Sequence, residues 1–229
     1  MRITDDRDIK VIISGYGRMG HLVEEALGKR DIRPVLASED IQGVAKDVAA
    51  ECVCIDFTTP DAFKANYRTL ARNFKAVVVG TTGWDDIKEE VIGFFEKCGT
   101  PMIYSSNFSI GVNAFFAAIE TACRMLRDKG YAPRVNEIHH IHKMDAPSGT
   151  AKTIAGIVSE ALGSVPEIES ERVGEVPGTH TAEFVSDVDR LSFTHEAFSR
   201  QGFADGAVVA AMMAEGLNGV YEFRELIFG

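Results

Sequence analysis

The stretch that decides the fold is Ile9-Lys10-Val11-Ile12-Ile13-Ser14-Gly15-Tyr16-Gly17-Arg18-Met19-Gly20. A short apolar run, typical of a buried strand, leads into a strict G-x-G-x-x-G spacing, and a helical pattern follows over residues 19–27. Glycine permits the tight turn, the approach of a pyrophosphate to the backbone and close packing of helix on strand. The helix start offers N–H groups and a positive dipole end to phosphates. Because strand, spacing and helix occur together, residues 15–20 are predicted to bind a dinucleotide, and a simple tight turn is the weaker alternative.

The rest of the first half continues to alternate strands with helices. We expect strands at residues 9–13, 33–37, 52–57, 76–79 and 101–104, and helices at 19–27, 61–72 and 85–97. This alternation is typical of βαβ units, so it predicts an α/β protein with an N-terminal Rossmann-type parallel sheet covered on both faces.

The second half has a different pattern. Its expected elements are a helix at 112–127, a strand at 134–141, a helix at 150–162, a hairpin of 181–186 and 190–195, a helix at 207–217, and a segment, 220–228, that returns to the first sheet. This predicts an α+β domain with a mixed or antiparallel sheet. We therefore expect residues 1–109 and 200–229 to form the dinucleotide-binding domain, and residues 110–199 to form a domain for substrate binding and oligomerisation.

Composition narrows the class of protein. The formal net charge of −10 argues against nucleic acid or an anionic membrane surface as the general partner. Residues 1–8 are too charged for a signal peptide, and no apolar run approaches the roughly 20 residues that span a bilayer. The four cysteines lack paired or metal-ligand spacing, which favours free thiols. These features predict a cytoplasmic protein.

Acidic residues follow the second expected strand. Glu39 lies 19 residues after Gly20, where an acid can accept hydrogen bonds from both ribose hydroxyls of an adenosine. It would repel a 2′-phosphate, and the neighbouring Asp40 offers no compensating positive charge. We therefore favour NADH over NADPH, although Arg18 leaves NADPH open because it can stack on adenine or reach a phosphate.

Small polar clusters follow two further strands. Gly80-Thr81-Thr82-Gly83 comes after residues 76–79, and Ser105-Ser106-Asn107-Phe108 comes after residues 101–104. Ligands of open parallel sheets bind at the carboxyl ends of the strands. The threonines and Asn107 are therefore expected to hold the nicotinamide ribose and amide, with Phe108 as an apolar wall, whereas isolated loops of this kind would be ordinary turns.

The segment with the most reactive side chains is Glu137-Ile138-His139-His140-Ile141-His142-Lys143-Met144-Asp145-Ala146-Pro147-Ser148-Gly149-Thr150. Three histidines and a lysine would repel one another as cations unless an anion lay among them. Ser148 is a good helix N-cap, and the N–H groups of Gly149 and Thr150 would then bind a carboxylate. This density favours an anion-binding active site over a solvated strand end. Zinc is less favoured, because no cysteine is near, a lysine intervenes and the histidines are adjacent, so no metal is expected.

The same residues resemble a known family, the 4-hydroxy-tetrahydrodipicolinate reductases, also called dihydrodipicolinate reductases. The family's specific motif, Glu-x-His-His running into Lys-x-Asp-Ala-Pro-Ser-Gly-Thr-Ala, is matched by residues 137–151. Matches also occur, in order, at residues 17–20, 80–83, 107–113, 195–200 and 203–207, so the resemblance covers nearly the whole chain. The chain departs from many members in its shorter length, in Ser14, in Asp40 where several have a basic residue, and in Ser105 and Ser106.

The resemblance implies a role for each matched residue. His139 takes the position of the general acid/base and Lys143 that of the proton donor, while His140, Gly149 and Thr150 take those of substrate-carboxylate binders. The cofactor positions are Gly15, Tyr16, Gly17, Arg18, Met19, Gly20, Glu39, Gly80, Thr81, Thr82, Ser105, Ser106, Asn107 and Phe108. Family members are usually homotetramers built through the substrate domain.

The expected reaction is hydride transfer from NAD(P)H to a cyclic dicarboxylate, giving tetrahydrodipicolinate in lysine and diaminopimelate biosynthesis. A positioned acid must quench the charge that develops on the ring, which suits His139 and Lys143. One alternative is a non-enzymatic NADH sensor, which would not need the residues of 137–150. Another is a sugar or aldehyde dehydrogenase of the same two-domain plan, which would not need the anion-binding turn. The sequence leaves open whether the enzyme also removes water before reduction.

Overall fold

The structure is a computed structural model that describes residues 9–228. The charged segment 1–8 lies outside the described residues, as does Gly229. The chain divides into two compact units. The first contains the described residues up to Ser109 together with those from Gln201 onward, and the second is Ile110–Arg200.

The first unit is built on a six-stranded parallel sheet of order β10-β5-β4-β3-β1-β2. Its strands are β1 Val11–Ser14, β2 Leu36–Ser38, β3 Val53–Asp56, β4 Ala76–Val79, β5 Met102–Tyr104 and β10 Val220–Glu222. Its helices are α1 Arg18–Gly28, α2 Lys46–Ala49, α3 Pro60–Asn73, α4 Lys88–Cys98, α7 Gln201–Ala214 and α8 Phe223–Phe228. This confirms the expected Rossmann-type class.

Burial explains why this sheet forms. Every residue of β1, β3 and β4 is buried, as expected of parallel strands covered on both faces. One apolar cluster packs α1 and α7 on one face, and a second packs α3 and α4 on the other. The polar loops that follow the strands therefore meet at one edge of the sheet.

The second unit is a four-stranded mixed sheet with two helices. Its order is β7-β6-β8-β9, in which β6 and β7 are parallel and the other pairs antiparallel. The strands are β6 Ala132–His139, β7 Glu167–Arg172, β8 Thr179–Val185 and β9 Arg190–Glu196, and the helices are α5 Ile110–Leu126 and α6 Gly149–Leu162. Side chains of α5 and α6 pack on Val135, Ala182 and Phe184, so these helices cover one face of the sheet.

Several expected elements differ from those observed. The strand expected at 134–141 ends at His139, because the chain turns there and Lys143 donates its N–H to the His140 carbonyl. The helix expected at 85–97 begins as a 3₁₀ turn, Asp85–Ile87. The strand β7 and the helices α2 and α8 are short or polar, so periodicity did not separate them from loops. Of the segment 220–228, residues 220–222 join the first sheet as expected, but residues 223–228 form α8.

Among the described residues, we find no helix whose length and apolar character would let it cross a membrane.

Candidate active site

Each of the three glycines after β1 suits its position for a different structural reason. Gly15 has a φ of 87°, and a Cβ there would lie 2.3 Å from the Phe57 carbonyl oxygen. A Cβ on Gly20 would lie 2.2 Å from the Gly15 carbonyl oxygen, so α1 packs too closely on the turn for a larger residue. At Gly17 a Cβ would meet nothing within 4 Å, and Gly17 itself is the N-cap of α1, with no side chain to cap it. The turn therefore leaves open space at the helix start, which suits a phosphate group.

A buried carboxylate that the sequence analysis did not single out connects the turns around this site. Asp56, the last residue of β3, accepts hydrogen bonds from Ser14 Oγ at 2.6 Å, Thr81 Oγ1 at 2.5 Å and Thr58 Oγ1 at 3.1 Å. Burial raises the pKa of Asp56 above its ordinary value, although the three hydroxyl donors oppose this effect. The side chain thus joins the ends of β1, β3 and β4.

The two small polar clusters line one cavity in the first unit. Thr81 is buried and Thr82 exposed, while Ser105 Oγ donates to Glu222 Oε1 at 2.7 Å. The cavity has a volume of about 160 Å³, and its wall includes Thr81, Thr82, Ser105, Ser106 and Glu222. These loops therefore lie together, as expected of neighbouring strand ends.

The amide and the aromatic ring that follow β5 do not wall this cavity. Phe108 is buried in the apolar core, where its ring centroid lies 4.9 Å from that of Phe223, and Asn107 Oδ1 accepts the Ser109 N–H at 2.9 Å. The side chains of Asn107 and Phe108 therefore stabilise the local fold, and any contact with a cofactor would be in addition to that role.

The acidic residues after β2 are both exposed. Asp40 Oδ1 accepts the N–H groups of Gln42 at 3.1 Å and Gly43 at 3.2 Å, so its side chain shapes the following turn. Glu39 lies immediately after the strand, on the surface. Arg18, at the first position of α1, is exposed too.

In the second unit, His139 is held by a buried carboxylate two residues before it. Glu137 Oε2 contacts His139 Nδ1, and Glu137 Oε1 accepts from Arg172 Nη2 at 3.0 Å and from the Ser148 N–H at 3.2 Å. Burial alone would raise the pKa of Glu137, but hydrogen bonds from Arg172, Ser170 and His139 hold it below its ordinary value. Burial lowers the pKa of His139, and the Glu137 hydrogen bond only partly offsets that effect.

A second buried histidine faces the first. His180 on β8 is paired with Glu137 across the sheet, and its ring centroid lies 5.0 Å from that of His139. His180 Nε2 is 3.0 Å from Ser148 Oγ, which in turn accepts the Ala151 N–H and caps α6. Burial lowers the pKa of His180 to about 4, so it is neutral near pH 7.

The remaining expected residues lie in the turn between β6 and α6. Lys143 Nζ pairs with Asp145 Oδ1 at 2.7 Å. His140 Nδ1 is buried without a hydrogen-bond partner among the residues that the structure describes. Gly149 is exposed at the start of α6, and a Cβ there would meet nothing within 4 Å. The turn thus carries a cation, an unsatisfied ring nitrogen and an open helix start.

Glu137, His139 and His180 are close enough to be considered as metal ligands, since one ligand atom from each lies within 4.8 Å of the others. Their hydrogen bonds argue against that use. Both oxygens of Glu137 are engaged, one of them by the cationic Arg172, and His180 Nε2 is engaged by Ser148. A cation there would have to displace these contacts and lie beside a guanidinium, so the donor set does not fit a metal.

Comparison with known proteins identifies a family. The family model described as dihydrodipicolinate reductase, N-terminus, matches residues 29–108, and the model described as dihydrodipicolinate reductase, C-terminus, matches residues 111–227. The chain is 36% identical to a 4-hydroxy-tetrahydrodipicolinate reductase of Christiangramia forsetii, over 96% of this chain and 98% of that protein. It is 38% identical to a reductase of the same name from Methanopyrus kandleri, over 97% and 82% of the two chains.

Solved structures share the fold. A dipicolinate-bound dihydrodipicolinate reductase from Paenisporosarcina superposes with a TM-score of 0.78 at 20% identity, over 96% of this chain and 99% of that chain. An engineered D-amino acid dehydrogenase bound to NADP⁺ gives a TM-score of 0.55 at 13% identity, over 95% and 93% of the two chains.

Proposed function

The chain belongs to the dihydrodipicolinate reductase family, and from this premise we propose how its residues divide the work. It is an NAD(P)H-dependent oxidoreductase that reduces 4-hydroxy-tetrahydrodipicolinate to tetrahydrodipicolinate in lysine and diaminopimelate biosynthesis. The observation that carries the assignment of roles is the cluster of His139, Lys143 and the start of α6 within one unit.

The proton-transfer groups are proposed to be His139 and Lys143. When bound, NAD(P)H supplies the hydride, and the negative charge that then develops on the ring must be met by a proton. Burial lowers the pKa of His139, which favours the neutral ring, so His139 suits accepting a proton and passing it on, and the proton that meets the charge on the substrate is proposed to come from the ammonium group of Lys143. Lys143 supplies a nearby cation whose resting partner, Asp145, is half exposed.

The substrate carboxylates are proposed to bind at His140, Gly149 and Thr150. The buried Nδ1 of His140 lacks a partner among the described residues, which is a cost that an anionic ligand would relieve. The first N–H groups of α6 and its dipole favour a carboxylate at Gly149 and Thr150. Together they account for a doubly charged substrate.

The test replaces the proposed groups one at a time. We expect His139→Ala and Lys143→Ala each to lower kcat by about 100-fold or more, because each removes a proton-transfer group, with NADH affinity nearly unchanged. Steady-state reduction of the condensation product of pyruvate and aspartate semialdehyde measures kcat, and fluorescence titration measures NADH binding. The matched controls are His142→Ala and Lys152→Ala, both exposed. Wild-type turnover in both test variants would refute the assignment.

The cofactor is proposed to be bound by the first unit through residues 15–20, Glu39, residues 80–82 and residues 105–108, with NADH preferred. The exposed carboxylate of Glu39 at the end of β2 can accept the ribose hydroxyls and would repel a 2′-phosphate. Asp40, tied into its turn, adds negative charge there.

The preference is measured as the ratio of kcat/KM for NADH to that for NADPH. We expect the ratio to exceed about tenfold, and Glu39→Ala to lower it by about tenfold as repulsion of the phosphate is relieved. Glu89→Ala, which removes an exposed carboxylate from the first turn of α4, should leave the ratio unchanged. A wild-type preference for NADPH would contradict the proposal.

We further propose a cytoplasmic homotetramer assembled through the second unit. The residues of β6 that alternate with Val135, Glu137 and His139 are at least partly exposed, so one face of the sheet is open to a second copy. Light scattering at several concentrations tests the state, and a monomer throughout would exclude it.

A further inference from the structure

The buried carboxylate of Glu137 contacts both halves of the proposed substrate site. Its side chain has no exposed surface. One oxygen contacts Nδ1 of His139, and the other accepts the Ser148 N–H at 3.2 Å, at the N-cap of α6. The proton-transfer group and the carboxylate-binding helix start are therefore held by a single side chain.

Arg172 on β7 secures that carboxylate and the turn beside it. Its Nη2 donates to Glu137 Oε1 at 3.0 Å and to the Asp145 carbonyl oxygen at 2.5 Å, and its Nε donates to the Lys143 carbonyl oxygen at 3.4 Å. One guanidinium thus fixes both Glu137 and the backbone of the turn that carries Lys143. A lysine has no planar fork with which to make these contacts together.

The arrangement decides which nitrogen of His139 carries the proton. An ionised carboxylate only accepts hydrogen bonds, so Nδ1 must be the donor to Glu137, and in the neutral ring Nε2 is left with a lone pair. Nε2 lies against Gly178, where a Cβ would come within 2.8 Å of it. Glycine at this position therefore keeps space around Nε2.

We propose that Glu137 and Arg172 are positioning residues, which hold His139 with its Nδ1 proton directed at Glu137 and Nε2 free for proton exchange, at a spacing from the start of α6 set by the same carboxylate. This inference rests on the proposed function for its meaning in catalysis. The position of the ring proton on Nδ1 of His139 follows from the geometry alone. The positioning proposal and the proposed function can therefore be refuted independently of each other.

The titratable groups near His139 lie on the strands of its sheet and in the turn after β6. Glu137 lies on β6, Arg172 on β7, His180 on β8, and Lys143 and Asp145 in the turn, while His195 on β9 lies beyond His180. Glu137 is the anion in contact with the ring, and it raises the pKa of His139, whereas Lys143 and Arg172 lower it. Removing Glu137 and removing Arg172 should therefore have opposite effects.

The first variant is Glu137→Gln. Because Arg172 and Ser148 both donate to one end of the side chain, the amide oxygen should face them and the NH₂ group should face His139. Nδ1 would then have to accept, which moves the ring proton to Nε2. Nitrogen-15 NMR of His139 in the free full-length protein should show this exchange of tautomer, and the pKa of His139 should fall.

A purely structural role predicts a different result. If Glu137→Gln only loosened the site, water would reach His139, and its pKa would rise because burial now lowers it. An unchanged tautomer or a raised pKa in this variant would overturn the proposal. The matched control is Glu169→Gln, which replaces an exposed carboxylate on β7 and should change neither the tautomer nor the pKa of His139.

The second variant, Arg172→Met, keeps the test decisive should Glu137→Gln fail to fold. Loss of the cation should raise the pKa of His139 while Glu137, still ionised at pH 8, keeps the proton on Nδ1. Loss of that tautomer at pH 8, or a lowered pKa, would overturn the proposal. The control is Arg190→Met, an exposed arginine on β9.

Kinetics connect the arrangement with turnover. Glu137→Gln should lower kcat by at least about tenfold with the KM for NADH nearly unchanged, and Arg172→Lys should recover part of the activity lost in Arg172→Met. Wild-type kcat in Glu137→Gln would overturn the catalytic part. If His139→Ala and Lys143→Ala kept full turnover, the proton-transfer roles proposed for these two residues would fail, while the tautomer and titration results would still decide the positioning.

Discussion

At the residue scale, two buried carboxylates show how the neighbouring hydrogen-bond donors determine whether the pKa of a buried acid is raised or lowered. Asp56 and Glu137 are both fully buried, yet the pKa of Asp56 is raised and that of Glu137 lowered. Asp56 is met by hydroxyl groups, which do not fully offset the cost of burial, whereas Glu137 is met by a guanidinium. The first therefore holds loops together and the second maintains a fixed negative charge beside a histidine.

His180 should make stability depend on pH. Its pKa is about 4 in the folded chain and 6.5 in the reference state, so as pH falls below 6.5 the unfolded chain gains a proton that the folded chain does not. Stability is fully present above pH 6.5 and declines toward pH 4, by at most about 3 kcal/mol from this residue.

Urea unfolding between pH 7 and pH 4 measures this effect. His180→Gln should flatten the decline, while His142→Gln, whose exposed ion pair contributes little, should follow the wild type. An equal decline in His180→Gln and wild type would show that other groups cause it.

At the element scale, close approach between helices and loops determines where small residues are needed. In α7, which packs against α1, β3, β4 and β5, most of the buried residues are alanine. A Cβ on Gly206 of this helix would lie 1.8 Å from the Phe108 carbonyl oxygen, so backbone meets backbone there. The backbone of the loop after β5 therefore packs directly against the backbone of α7.

Replacing glycine with alanine should destabilise the protein at one position in α7 and stabilise it at one position in α4. Gly206→Ala forces a methyl group against a backbone carbonyl and should destabilise the protein by about 1–3 kcal/mol or more. Gly93→Ala, at an exposed position of α4 where a Cβ meets nothing within 4 Å, should stabilise it by roughly 0.5–1 kcal/mol. Thermal unfolding of both variants gives the comparison, and a tolerated Gly206→Ala would mean that α7 shifts easily.

At the scale of the whole molecule, the first unit is completed by a distant part of the chain. Residues up to Ser109 form five strands of its sheet, and the sixth strand, with α7 and α8, comes from the chain from Gln201 onward. The alanines of α7 and Phe223 belong to the apolar cluster that contains β1, β3 and β4. The second unit is thus an insertion between two parts of the first.

A chain that stops at Arg200 should lose the first unit. Removing α7 exposes the apolar residues of β1, β3 and β4 on one face, so we expect this chain to aggregate or to bind NADH at least about tenfold more weakly. Sedimentation and fluorescence titration against the full chain measure both effects. A soluble truncated chain with wild-type NADH affinity would show that the last segment is dispensable.

Much of the plan of the molecule follows from sequence alone. The alternation of residues 9–104, the glycine spacing of 15–20 and the hairpin of β8 and β9 rest on local periodicity and turn chemistry, which the chain carries in any context. The motif at 137–150 likewise named the family. The individual site residues remain predictions from sequence, which the variants above test.

The partners of those residues depended on the tertiary structure. Arg172 is 35 residues from Glu137 and Thr81 is 25 from Asp56, and the pairing of β6 with β7 and of β3 with β4 brings these residues together. His180 on β8 is 32 residues from Ser148, and the packing of α6 on the sheet brings these two together. Asp56, near the end of the apolar run 52–57, indicates a polar site at the end of that strand. Nothing in the local sequence shows which hydroxyl groups it will contact. Sequence determined which chemical groups the chain offers and which segments are strands or helices, because these depend on neighbours in the chain. Only the fold decided which groups are buried against one another, and hence their charge, because burial and contact are properties of the packed sheet.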